Sequence, residues 1–280
     1  MQNISRHLHR QLGKGAVASV LLATHGKGTL VRNNYVHLIW AKNEEYPYWS
    51  QTSAFTARAD AIAEYNVIRD GAWVVQFVEG EFRYNLISDS IDHNSCRNGS
   101  IGALHHNIFF RFKHMDKYGT AGTPAMVRTS WQEPVKDPAP ARLGYADYNC
   151  FFSPESKIHD NYALSVAGKV ERKDSGFGLH DLPQGGKVDA PCDPKFKGPL
   201  PIEFPFKDED VKSGKVTVAQ ILKFFRDAYT PSEGSPVIGA GDPADGKDSF
   251  IGAIGPAGCA HADDRFGKLS ANDAKAAAKP

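Results

Sequence analysis

The chain has 280 residues, 33 of them basic and 32 acidic, for a formal net charge of +1. That balance gives no global field toward nucleic acid or an anionic membrane, and no run approaches the ~20 apolar residues of a membrane span. The four cysteines, Cys96, Cys150, Cys192 and Cys259, lie far apart without a C-x-x-C pair; this argues against a zinc site and leaves their pairing open.

At the N-terminus, Arg6, Arg10 and Lys14 precede the apolar run Ala16 to Ala23, the order of charges and apolar residues in a secretory leader. Gly28-Thr29-Leu30 follows at once, however, and matches Gly80-Glu81-Phe82 later in the chain. Val17 to Ala23 is therefore read as a strand. So abrupt a start suits the C-terminal portion of a longer protein, or a divergent first coil.

From Leu30 to Phe152 one phrase keeps returning. It reads Val31-Arg-Asn-Asn34-Tyr-Val36, then Ala63-Glu-Tyr-Asn66-Val-Ile68, then Phe82-Arg-Tyr-Asn85-Leu-Ile87. It returns as Leu104-His-His-Asn107-Ile-Phe109 and Ala146-Asp-Tyr-Asn149-Cys-Phe151. The asparagines are 32, 19, 22 and 42 residues apart. A step of ~20 residues suits one solenoid coil, and the longer steps carry loops, Trp40 to Trp49 and Arg111 to Leu143. Within 66–85, three short apolar runs are separated by Asp70-Gly71, by Glu79-Gly80 and by the asparagines themselves. The expected fold is all-β: a right-handed parallel β-helix with three short strands per coil. Asn tolerates the left-handed bend between two strands, and stacked amides can hydrogen-bond along the axis.

After Phe152 the phrase fades into a Gly/Pro/Lys/Asp-rich connection. The expected division is coils over 1–155, a C-terminal extension over 156–258, and a poorly ordered tail over 259–280. One amphipathic helix is expected over 217–229. Thr217-Val-Ala-Gln220 is a capping box, Val218, Ile221, Leu222 and Phe225 keep helical spacing, and Pro231 stops it. Its single apolar face should lie on the solenoid.

The corner asparagines and the endings Asp193-Pro-Lys-Phe196, Ser235-Pro-Val-Ile-Gly-Ala-Gly241 and Ile251-Gly-Ala-Ile-Gly255 carry a resemblance. Over residues 28 to 255 the chain resembles right-handed parallel β-helix proteins of the pectate-lyase-like, carbohydrate-active kind, which often close on similar phrases. It departs from their pattern with Gly239 where Asp is common, and with Ser249-Phe250 inserted before Ile251. The resemblance implies an extracellular or periplasmic protein acting on an acidic polysaccharide, by lyase-type β-elimination ahead of hydrolysis. The alternative is a non-catalytic glycan-binding or structural module of a larger surface protein. The arginine, paired-aspartate and methylesterase motifs of these families are missing, so no catalytic residue is carried over.

Candidate residues therefore come from position. His25, Arg58, Gln76 and Arg97 lie eight to ten residues before their asparagines and are expected to form one outward row. Arg97 and Arg58 would pair with a substrate carboxylate, with His93 and His106 as nearby proton-handling groups. His25 and Gln76 would contact the polymer, while Trp40, Tyr48 and Trp49 would either stack on sugar rings or pack their own loop. His105 and His106 are neighbours in a strand, so they face opposite sides and do not share a metal easily. Calcium is the cofactor that the Asp242, Asp245 and Asp248 turn would suit, although those residue types also simply make turns.

Overall fold

The computed structural model describes residues 4–9, 17–24, 29–40, 50–57, 61–69, 75–77, 80–89, 94–97, 101–111, 125–130, 142–153, 160–166, 169–171, 178–185, 192–201, 204–246 and 248–256. Strand β1 is Ile4–His9. The next coil is β2 (Val17–Thr24), β3 (Leu30–Arg32) and β4 (Tyr35–Trp40), and the following one is β5 (Ser50–Ala57), β6 (Ile62–Glu64) and β7 (Val67–Arg69). Then come β8 (Val75–Phe77), β9 (Glu81–Arg83) and β10 (Leu86–Ser88), and after them β11 (Asn94–Arg97), β12 (Ile101–His105) and β13 (Ile108–Phe110). Strands β14 (Ala125–Ser130), β15 (Arg142–Asp147) and β16 (Cys150–Phe152) precede β17 (Asp160–Val166), β18 (Lys169–Glu171) and β19 (Leu182–Gly185).

From β4 onward every strand except β18 pairs with the one three before it. Sheet A runs β1-β4-β7-β10-β13-β16-β19, and sheet B runs β2-β5-β8-β11-β14-β17-β18. Sheet C runs β3-β6-β9-β12-β15. All pairings are parallel except β17 with β18. A mostly β, parallel arrangement with few helices results, and it fits a β-helix-like fold. The pairing goes one coil beyond the asparagine phrase, through β17 and β19.

The asparagines sit where sheet C hands over to sheet A, each bonded to the next. Asn66 Nδ2 donates to Asn85 Oδ1 at 2.9 Å, and Asn85 Nδ2 donates to Asn107 Oδ1 at 3.1 Å. The same pattern joins Asn34 to Asn66 and Asn107 to Asn149. Backbone N–H groups of Asn34, Asn66, Asn85 and Asn107 donate to the same acceptors. One expectation is corrected: the left-handed residue is the one before each asparagine. Asn33, Tyr65, Tyr84, His106 and Tyr148 have φ between 50° and 58°. The asparagine keeps an ordinary backbone and spends its amide on its neighbours.

Strands β7, β10, β13 and β16 of sheet A are buried on both faces. Val36, Ile68, Ile87, Phe109 and Phe151 share one inner register row, all buried. The flanking row Tyr35, Val67, Leu86, Ile108 and Cys150 packs instead on the C-terminal residues. There Asp208–Lys212 forms α1 and Val218–Ala228 forms α2. Helix α2 carries the expected capping box and buries Ile221, Leu222, Phe225 and Ala228, whereas Val218, expected on its apolar face, is exposed at its first turn. Phe225 stacks on Tyr35 with centroids 4.2 Å apart, and the Arg69 guanidinium lies 5.2 Å from the Phe225 ring.

The endings that carried the family resemblance belong to the same cover. Phe196 packs edge-on against Phe110 and Tyr229, and the Ser235 hydroxyl donates to Pro194 O at 2.6 Å. Gly252 has φ 108°, and a Cβ there would fall 2.5 Å from Ile108 Cδ1, so only glycine fits. Buried ions tie the cover down. Asp89 accepts from Arg111 Nη2 at 2.8 Å and from the Ser88 hydroxyl at 2.6 Å, while Arg69 Nη2 donates to Pro201 O at 2.6 Å.

Asn85→Leu keeps the size of the side chain but strands buried partners on both sides, which costs about 1–3 kcal/mol. Phe225→Ala opens a cavity between α2 and sheet A and costs about 3–5 kcal/mol. Urea unfolding at neutral pH measures both. A loss under ~0.5 kcal/mol at Asn85 would mean that its amide bonds add nothing net.

Candidate functional site

The left-handed residues bring aromatic rings together at the corner between sheets C and A. Tyr65, Tyr84, His106, Tyr148 and His180 stack in series, with centroid separations of 5.1, 4.6, 5.0 and 4.9 Å. A left-handed non-glycine residue costs about 1–2 kcal/mol, and offset ring stacking repays ~0.5–1.5 kcal/mol per pair. Beside them, the residues that end the sheet C strands share one register row: Arg32, Glu64, Arg83, His105 and Asp147.

This row is internally paired. Arg83 Nε bonds Glu64 at 2.9 Å and its Nη1 bonds Glu81 at 2.9 Å, while Arg32 reaches Glu64 at 3.3 Å. Glu81 also receives His105 Nε2 at 2.8 Å. That bond, with Arg83, holds the Glu81 carboxyl below its ordinary range against the opposing effect of burial.

From His105 a chain of donors runs inward. His105 Nδ1 and His106 Nδ1 are 2.8 Å apart, and His106 Nε2 accepts from the Asp242 N–H at 2.8 Å. An acceptor at Nε2 puts the His106 hydrogen on Nδ1, where it is donated to His105 Nδ1; His105 then carries its hydrogen on Nε2, toward Glu81. Burial first, and His105 second, lower the His106 pKa to about 4. The C-terminal segment closes over this corner. The Tyr84 hydroxyl donates to Asp245, Gly252 N donates to His106 O, and Phe250 lies against Tyr84.

At the last coil Asp147 accepts His180 N and Nδ1, each at 2.7 Å, and Tyr148 N at 3.0 Å. Burial alone would raise the Asp147 carboxyl, but these bonds hold it below its ordinary value. Asp181 then takes the place of an asparagine, accepting Asn149 N at 2.6 Å.

Of the residues singled out in the sequence, His25, Arg58, His93, Tyr48 and Trp49 lie outside the described residues. Gln76 is in β8, opposite Ser95 and Thr56, and Arg97 ends β11 opposite Ser130. Gln76 and Arg97 are thus two positions out of register, because the turn from sheet B to sheet C is longer after β11 than after β8. Trp40 ends β4, opposite His9. His106 is buried to 2% with both ring nitrogens engaged, so it packs the corner and does not face a ligand. Asp242 caps the N–H of Ala244, and Asp245 meets Tyr84. Among the described residues no group of three His, Cys, Asp or Glu could hold a metal ion, and no helix is long and apolar enough to cross a membrane. Sequence reasoning missed the pairing of Glu81 with His105, that of Asp147 with His180, and Tyr145. Their only sequence signal was position, two or four residues before a corner asparagine or one before Asp181.

No protein-family model, no curated protein and no solved structure matches the chain.

Because the folded His106 titrates near 4 and an unfolded histidine near 6.5, the unfolded chain binds more protons between those values. Stability contributed by neutral His106 is therefore whole above pH 6.5 and falls as the pH drops toward 4, by on the order of 3 kcal/mol. Urea midpoints taken between pH 7 and 4.5 should fall steeply in the wild type and less steeply in His106→Asn. Equal slopes would show that His106 is not the acid-sensitive group.

Proposed function

We propose that the chain is a right-handed parallel β-helix of the pectate-lyase-like kind, its corner asparagines forming a ladder. In this reading it acts outside the cytoplasm on an acidic polysaccharide, by β-elimination ahead of hydrolysis. The observation that carries it is the repeat of parallel strands in register, with sheet A given over to the C-terminal cover. Polar positions then recur from strand to strand on the other two sheets, which suits an extended, repetitive polymer better than a compact ligand. On sheet B, Gln76, Ser95 and Arg128 share a register row and Arg97 follows two positions later. Arg97 and Arg58 would neutralise the substrate carboxylate, and His93 would take the adjacent proton. His25 and Gln76 would hold the polymer, with Trp40, Tyr48 and Trp49 beside it.

A specific observation favours a second reading, a non-catalytic glycan-binding or structural module. Two cations of sheet C, Arg32 and Arg83, are already committed to Glu64 and Glu81. A row that neutralises itself stabilises a stack of coils without recognising anything.

Incubation with a panel of uronic polysaccharides, followed by ultraviolet absorbance of unsaturated product, separates the two. The lyase reading expects product from at least one polymer, and a loss of about 10²-fold in kcat/KM for Arg97→Ala with folding intact. Binding of a polymer without unsaturated product would leave the module. Product formation unchanged in Arg97→Ala would remove sheet B as the site.

A further inference from the structure

Two cysteines meet at the seam between sheet A and its cover. Cys150 opens β16, in the sheet A row that packs on the C-terminal residues, and Cys192 begins the segment that leads to Phe196. Both are thiols, and both are 0% exposed. Cys150 Sγ donates to Cys192 O at 3.0 Å, and Cys192 Sγ donates to Phe151 O at 3.3 Å. Each sulfur thus touches the main chain on the other side of the seam, so the two side chains lie alongside one another. A disulfide needs that placement, and rotation about χ1 then brings sulfur to sulfur at the cost of two weak S–H bonds. The other positions of this row are Tyr35, Val67, Leu86 and Ile108, so packing alone asks only for an apolar residue here. It gives no reason for cysteine on both sides. Cys96 stands elsewhere, in β11 of sheet B opposite Phe77 and Thr129.

The place of the pair gives a bond there a mechanical consequence. The segment after Cys192 is tied to the end of α2: Ser232 N donates to Lys195 O, Lys197 N to Thr230 O and Gly198 N to Ala228 O. Phe196 also packs on Phe110 and Tyr229. A covalent link between residues 42 apart would join this unit to sheet A and close a loop that holds β17, β18 and β19. Closing so long a loop removes chain entropy from the unfolded state, which is how a disulfide stabilises a fold.

We propose that Cys150 and Cys192 form a disulfide when the chain folds in an oxidising thiol–disulfide medium, and that this bond staples the C-terminal cover to sheet A. The oxidant is a small disulfide such as oxidised glutathione. One cysteine, as thiolate, attacks a sulfur of the small disulfide, breaks its S–S bond and releases one thiol. The other cysteine then attacks the protein sulfur of the mixed disulfide and releases the second thiol. The protein loses two electrons and two protons, and the small disulfide gains them as two thiols. Burial pushes the Cys150 thiol well above its ordinary range, so the closed cover keeps it unreactive. Exchange therefore runs while the cover is open, before folding is complete or when the cover lifts. None of this depends on the chain being carbohydrate-active.

The test incubates the full chain with reduced and oxidised glutathione in urea just below the unfolding midpoint. The urea is then removed, remaining thiols are alkylated, and the chain is digested without reductant. Mass spectrometry should find the Cys150 and Cys192 peptides joined and lacking two hydrogens, in the wild type and in Cys96→Ala/Cys259→Ala alike. The oxidised chain should melt about 5 °C above its own reduced form, a difference that Cys192→Ala should abolish. Cys150 and Cys192 both recovered as alkylated thiols, or joined mainly to Cys96 or Cys259, would overturn the pairing. A bond between them that leaves the melting temperature unchanged or lowers it would overturn the staple.

Discussion

The structure depends on what a buried asparagine does with its amide. In each coil Oδ1 accepts two hydrogens from the preceding coil, one from backbone and one from Nδ2. Nδ2 also donates to a sheet C carbonyl, as Asn85 does to Ala63 O at 2.9 Å. All polar atoms of the corner amide are thereby satisfied where water is excluded, and an unmade bond there would cost its full desolvation. The geometry works only if consecutive corners lie one strand spacing apart. Register in sheets A and C follows from this, since a slip by one residue would invert every inward side chain.

Fixing the corner fixes what lies beside it. The residue before each asparagine is forced into the left-handed region, and aromatic rings placed there recover part of the cost by stacking. The residue before that ends a sheet C strand, and it supplies the row from Arg32 to Asp147. At the opposite side of the corner, sheet A begins with an apolar position in every coil, and that row is closed by α2 and the segments around it. Sheet A is therefore given over to packing. On sheet C most charges cancel in pairs. His180, beyond β15, continues the pairing by meeting Asp147.

The asparagine phrase was legible because its flanking apolar residues recur at fixed distances whatever the loops between them do. The helix was legible from local spacing and a capping box, apart from Val218, which precedes the first turn to touch the core. The last coil was hidden. Its acceptor is Asp181 in place of Asn, and Pro183 stands where earlier coils place an apolar residue two after the corner. The outward row drawn by counting back from each asparagine did not survive as one row for Gln76 and Arg97. Counting assumes equal turns, and the residues from Phe77 to Glu81 are fewer than those between their register partners Cys96 and Ala103. Side-chain pairs such as Asp147 with His180, 33 residues apart, follow only once the coils are aligned.

Native-state hydrogen exchange at the backbone N–H groups of Asn66, Asn85 and Asn107 tests the amide stack most directly. Each is held by a side-chain oxygen from the next coil, outside the ordinary strand pairing. If the stack organises the fold, these three hydrogens exchange only through global unfolding, with the same free energy as the central strands of sheet A. Exchange at rates typical of exposed turns, while the N–H groups of Ile68, Ile87 and Phe109 stay protected, would contradict the account.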